Sequence, residues 1–269
     1  MIEKSLSGAT FSAPRRSEKP RNTGLTAIID FGPDTFGWTG PRGVADFLDC
    51  AAAYVDFAKI YAMNALLLPK PVVIKIVSLY RDAGVIPYSG GILFEYAHER
   101  GEIDEFIAHL KSIGIPTLEI SENYITISDE VRSRYIDRFQ LAGLSVIYEF
   151  GRKNPLAPLD LDELGRLVAA NRAQGIEHVI LEQSELDLVR KEAPGKLEEL
   201  RRARWFSDLL IEADPYAFPS QHAQLIRQFG ADVNLANVAV AQAFRLEGLR
   251  RGVGRAVDYA MFRREGGTA

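Results

Sequence analysis

At 269 residues, with 47% hydrophobic and 25% charged side chains, the chain is long enough to bury one large core, which excludes a disordered or collagen-like polymer. A formal net charge of −4 carries no basic excess to grip a phosphate backbone, so no nucleic-acid partner is expected. The single cysteine, Cys50, excludes an intramolecular disulfide and a multi-cysteine metal cage.

Residues 1–22 are rich in Ser, Pro, Lys and Arg and contain no apolar h-region, and no later segment reaches about 18 uninterrupted apolar residues. A cytoplasmic protein with no membrane partner is expected, its first 22 residues a loosely ordered arm or a strap across a partner subunit. Short β-branched runs then alternate with longer amphipathic stretches, the pattern of repeated βα units around a parallel sheet. Strands are expected at 24–30 (GLTAIID), 55–60 (VDFAKI), 84–89 (GVIPYS), 117–121 (TLEIS), 145–150 (SVIYEF), 178–183 (HVILEQ), 208–213 (DLLIEA) and 232–237 (DVNLAN). Among the helical stretches, LPKPVVIKIVSLYRDAG places Val72, Ile76, Leu79 and Tyr80 on one face, and PLDLDELGRLVAANRAQG ends on a C-cap glycine, Gly175. Cys50, in the apolar run DFLDCAAAYVDF, is expected in a buried helix face.

Eight strands, each followed by a helical segment at a spacing of roughly 25 to 35 residues, match a single-domain (β/α)8 TIM-type barrel over 23–258, with 259–269 as a tail. An open doubly wound sheet competes, but holding a dinucleotide it would carry a glycine-rich turn after its first strand. DFGPDTFGWTG lacks the G-x-G-x-x-G spacing.

Barrel strands are covered on both sides, so a charge near a C-terminal strand end needs a reason. This chain has Asp30, Lys59, Glu119, Glu149, Glu182 and Glu212 there, Asn234 and Asn237 on the last strand, and Lys153 just after the fifth. Isolated buried carboxylates cost several kcal/mol each, so such a ring persists by pairing with lysines, coordinating a cation or opening to water. Asp30, Glu119 and Glu149 are expected to converge on one cavity. Oxygen ligands without His or Cys suit a hard cation, Mg2+, and His98, His109, His178 and His222 form no HxH or HExxH pair. In YSGGILFEYAHE the amide groups of Gly90, Gly91 and the helix start could hold a small anionic substrate.

The ordered series KPRNTGLTAIIDFG, VDFAKI, YSGGILFEYAHERGEIDEFI, LEISENYITI, YEFGRKNP, LIEAD and DVNLANV…LEGLRRG resembles the phosphosulfolactate synthase family, over roughly residues 19–255. The resemblance implies a (β/α)8 barrel, Mg2+ without an organic cofactor, addition of sulfite to phosphoenolpyruvate, and assembly into a homo-oligomer. Under it Asp30, Glu119, Glu149 and Glu212 are the candidate metal ligands, and Gly90, Gly91, Glu182, Asn234 and Asn237 the candidate substrate contacts. Lys153 becomes the general acid, protonating C3 of the enolate formed when a nucleophile attacks C2, and Lys59 the second cation that lowers its pKa. Three segments depart from the family. KIYAMNAL stands for KFGWGTS, EQSELD for EARESG, with Gln183 where an arginine could grip phosphate, sulfonate or carboxylate, and GVGRAVDY for GLRGDT. They keep open a relative acting on a different enolisable acid or nucleophile, and a non-catalytic barrel with a stress or interaction role.

Overall fold

The computed structural model describes residue 14 and residues 16–263. Residues 1–13 and 15 of the expected arm and 264–269 of the expected tail lie outside the described residues. Eight strands form the barrel: β1 (Thr26–Asp30), β2 (Phe57–Ile60), β3 (Ile86–Ser89), β4 (Thr117–Ile120), β5 (Ser145–Phe150), β6 (Val179–Leu181), β7 (Leu209–Glu212) and β8 (Leu235–Ala239). All their pairings are parallel, each strand neighbours the next in sequence, and β8 closes against β1. Around them lie α1 (Pro41–Ala51), α2 (Lys70–Asp82), α3 (Gly91–Arg100), α4 (Ile103–Ile113), α5 (Asp129–Leu141), α6 (Leu161–Ala173), α7 (Gln183–Glu192), α8 (Lys196–Arg202), α9 (Ser220–Phe229) and α10 (Ala243–Arg250).

The period of two along a strand decides what reaches the interior. Ala27, Phe57, Tyr88, Ile147, Ile180, Leu210 and Ala236 fill the barrel, while Ile28, Ala58, Leu118, Val146, Leu181, Ile211 and Val238 join the outer core beneath the helices. Two residues beyond Phe57, Ile147, Ile180 and Leu210 come Lys59, Glu149, Glu182 and Glu212, on the same inward side at the C-terminal strand ends. Glu119 follows Leu118 and so also turns inward. Asp30 is two residues past Ile28 and turns outward.

Two packing expectations are corrected. Helix α2 buries Val73, Ile76, Val77 and Tyr80, leaving Val72 and Leu79 only half-buried. Helix α1 buries Val44, Leu48 and Ala51, which puts Cys50 on its solvent side, exposed.

The N-terminal end of the barrel is tied shut. Arg16 pairs with Asp232 at 2.5 Å and Arg21 with Asp56 at 3.1 Å, and Lys19 donates to the carbonyls of Ala52 and Gly84. Asp56 in turn accepts from the Thr26 amide at 2.8 Å. The described part of the arm is therefore a strap over its own barrel. Arg250, buried, donates to the carbonyls of Ala231, Val233 and Leu25 on the same side.

Candidate active site

At the opposite end, two lysines and four glutamates meet. Lys59 Nζ lies 2.7 Å from Glu119 Oε2 and 3.9 Å from Glu149 Oε2, and 5.8 Å from the centre of the Tyr88 ring. Lys153 Nζ lies 2.5 Å from Glu182 Oε2 and 3.4 Å from Glu212 Oε1. Glu149, Glu182 and Glu212, all buried, each offer an oxygen within 4.8 Å of the other two. Two carboxamides brace this trio: Asn123 Nδ2 donates to Glu149 Oε1 at 2.7 Å and Asn237 Nδ2 to Glu212 Oε1 at 2.6 Å. Four carboxylates against two ammonium groups leave an excess of negative charge in a site shielded from water.

That excess shows in the protonation equilibria. Burial, reinforced by the charge of Glu119 and only partly offset by Lys59, lifts Glu149 well above the ordinary carboxylate range. Burial and the neighbouring Glu182 push Glu212 up to about 7. Burial alone would raise Glu182 too, but the hydrogen bond from Glu212 and the Lys153 ammonium hold it below its ordinary value. Because native Glu212 binds its proton more tightly than the unfolded chain does, its contribution to stability is full below about pH 4.5 and is lost as pH rises through about 7. The melting temperature of the metal-free protein is accordingly expected to fall across that window. Glu212→Gln should flatten the profile, and an unchanged slope in the variant would show that Glu212 is not the group responsible.

The structure brings together Lys59, Lys153, Glu119, Glu149, Glu182, Glu212 and Asn237. It does not bring Asp30 or Asn234 to them. Asp30 accepts from Tyr80 Oη of α2 at 2.8 Å, from the Gly32 amide at 2.9 Å and from Thr39 Oγ1, all on the outer side of the barrel wall. Asn234 precedes β8 at the N-terminal end, accepting from the Leu25 amide and donating to the carbonyls of Ser207 and Leu209, because the last strand begins at Leu235.

Gly90 and Gly91 are also reassigned. The Gly90 amide donates to the Ile60 carbonyl at 3.1 Å and the Gly91 amide to Glu119 Oε1 at 2.9 Å, so the anion at the start of α3 is the protein's own glutamate. A Cβ on Gly91 would stand 2.6 Å from Ser121 Cβ and 2.9 Å from Glu119 Oε1, and closer still to Ser121 Oγ. Gly91→Ala is expected to destabilise by about 1–3 kcal/mol, the usual cost of overpacking, measured by denaturant unfolding; a neutral change would mean that α3 shifts freely.

The lowering of the Lys153 pKa expected from the sequence is not found. Burial alone would lower Lys153, but Glu212, Glu149 and Glu182 outweigh it and hold the ammonium above the ordinary lysine range. Asn123, Tyr88 and Ser121 also belong to the mouth and were not picked out by sequence reasoning. The signal for Asn123 is its place three residues past the end of β4, where a barrel loop turns over the mouth.

The donor set suits a hard cation. All the groups are oxygens, and among the described residues Asn237 Oδ1 is buried without a hydrogen-bond partner, an arrangement that a cation would satisfy.

A sequence profile described as "(2R)-phospho-3-sulfolactate synthase (ComA)" matches residues 14–255. The phosphosulfolactate synthase of Methanothermobacter thermautotrophicus is 32% identical over 249 residues, 90% of this chain and 94% of that protein. That of Methanocaldococcus jannaschii is 33% identical over 239 residues, 86% of this chain and 92% of the relative. The phosphosulfolactate synthase of Bacillus subtilis is 28% identical over 252 residues, 89% and 94% of the two chains. Among solved structures, CdNal from Clostridium difficile in complex with mannosamine superposes with a TM-score of 0.51 at 14% identity, covering 88% of this chain and 79% of that one, a likeness of fold alone.

Proposed function

The chain belongs to the (2R)-phospho-3-sulfolactate synthase family, whose members are C–S bond-forming lyases, and on that premise we propose that it adds sulfite to phosphoenolpyruvate at this mouth, with Mg2+ as its metal. The observation that carries the reading is the trio Glu149, Glu182 and Glu212 facing the ammonium of Lys153 in a buried site with excess negative charge. Glu149, Glu182 and Glu212 would hold the cation, which offsets their charge and supplies positive charge beside the acceptor's carboxylate.

The product named in the family's description supports one direction of addition. A 3-sulfolactate carries sulfur on C3, and the (2R) centre is C2, so sulfite attacks C3 and the proton goes to C2, the reverse of the order expected from the sequence. Attack forms the C–S bond while the C2–C3 π pair moves onto C2 and the carboxylate; a proton from Lys153 then makes the new C–H bond at C2. Lys153 is placed for this role, its side chain 37% exposed at the edge of the cluster where solvent can return the proton, and a cation offsetting the carboxylates that raise its pKa would bring it back toward the working range of an acid. Lys59, 6% exposed and paired with Glu119, instead holds the inner carboxylates in place.

A second reading has its own observation. Gln183 spends its amide on Asp187 at 2.9 Å and brings no charge, and both mouth lysines are already paired with glutamates. A different enolisable acid or nucleophile therefore replaces phosphoenolpyruvate or sulfite in that reading. A cytoplasmic location and a homo-oligomer accompany the first reading; a light-scattering mass above one chain is its expected result. Calorimetric titration with Mg2+ tests the cluster: binding that weakens in Glu182→Gln supports it, and an absence of heat and of thermal shift in the wild type would support the non-catalytic barrel instead.

A further inference from the structure

Helix α3 carries a buried acidic residue that the charge ring does not include. Glu95 is 4% exposed and makes no ion pair among the described residues; it accepts from the Asn123 amide at 3.0 Å, the Tyr124 amide at 2.9 Å and Ser121 Oγ. These three donors form the turn that leaves β4. The same helix binds Glu119 through the Gly91 amide one turn earlier, so α3 fixes both the end of β4 and the loop beyond it.

What this fixation delivers is the side chain of Asn123. Its Nδ2 donates to Glu149 Oε1 at 2.7 Å, which leaves Oδ1, an acceptor, buried and without a partner among the described residues. Asn237 repeats the arrangement on the far side of the trio, with Nδ2 on Glu212 and Oδ1 buried and unpartnered. An acceptor left unsatisfied in a buried site costs its full desolvation unless a donor or a cation arrives.

We propose that Asn123 is part of the cation-holding set, offering its Oδ1 as a neutral oxygen beside Glu149, and that Glu95 is the positioning residue that aims it. The inference rests on the reading that Glu149, Glu182 and Glu212 hold a divalent cation. Neutral amide oxygens are ordinary partners of hard cations, and removal of residues that orient such ligands weakens metal affinity by about 10–100-fold.

The test is Mn2+ binding to the full chain, followed by electron paramagnetic resonance and calorimetry. Asn123→Ala is expected to weaken Mn2+ by about 10-fold or more, and Asn123→Asp, which keeps an oxygen there, to recover most of the loss. Glu95→Ala should weaken it comparably and add little in the Asn123→Ala background, because it acts through that residue. Should Glu95→Ala fail to fold, Glu95→Gln keeps one acceptor for the loop amides and is expected to show an intermediate loss. Wild-type affinity in Asn123→Ala, or losses from the two sites that simply add, would overturn the assignment while leaving the cation reading intact. A wild-type chain that takes up no Mn2+ overturns the cation reading, and this assignment with it.

Discussion

Lys153→Met is expected to lower turnover on the order of 10²-fold or more with little change in melting temperature, if Lys153 is the proposed general acid. The lysine side chain is 37% exposed, so solvent screens its ion pairs in part even though Glu182 and Glu212 are buried. Glu212, already pushed up to about 7, takes up a proton when the ammonium is removed and limits the cost of the change. In the proposed reaction the variant would lack its proton donor beside the cluster. Lys153→Arg separates charge from acidity, since guanidinium keeps the pairing but does not give up its proton in a protein. It should remain nearly as slow as Lys153→Met. A variant that melts early but whose folded fraction is fully active would make the lysine structural.

Lys59→Met acts on the other side of the ledger and destabilises the fold by about 3–5 kcal/mol, the cost of breaking a buried pair by removing one partner. Burial alone would lower the Lys59 pKa, but Glu119, with Tyr88, Glu149 and Glu212, holds the ammonium charged well above its ordinary range. Without it, Glu119 and Glu149 face each other inside the barrel with no cation. Replacing Glu119 with Gln in the same chain removes one of the stranded charges, so the double variant should be more stable than Lys59→Met alone. Denaturant unfolding of the three proteins checks this; equal stability of wild type and Lys59→Met would mean that the pair adds nothing.

The alternation of β-branched runs and amphipathic stretches sufficed for the barrel, because the barrel strands are largely buried on both faces and most read as an apolar run with a charge at or near its end. That simplicity also limits what the sequence conveys. A continuous apolar run hides its phase, so Asp30 looks like Glu149 although one residue of register sends it to Tyr80 rather than into the mouth. Asn234 was misplaced for a related reason. DVNLAN reads as a strand from its first residue, but the ladder starts at Leu235, which leaves Asn234 capping backbone groups at the N-terminal end. Gly90 and Gly91 were legible as a helix start, but only the fold shows that Glu119 occupies the position an external anion would take. Asn123 and Glu95 lie 28 residues apart in sequence and meet only because α3 packs along β4.

The most direct test of the central claim, that this mouth performs sulfonate-forming addition, is to incubate the purified chain with phosphoenolpyruvate, sulfite and Mg2+ and follow phosphorus and carbon resonances. The account predicts a phosphosulfolactate signal with sulfur on C3 and one solvent-derived hydrogen on C2, appearing in the wild type and nearly absent in Lys153→Met. Phosphoenolpyruvate left unchanged at high enzyme concentration, in a protein shown to be folded and to bind Mg2+, would contradict it.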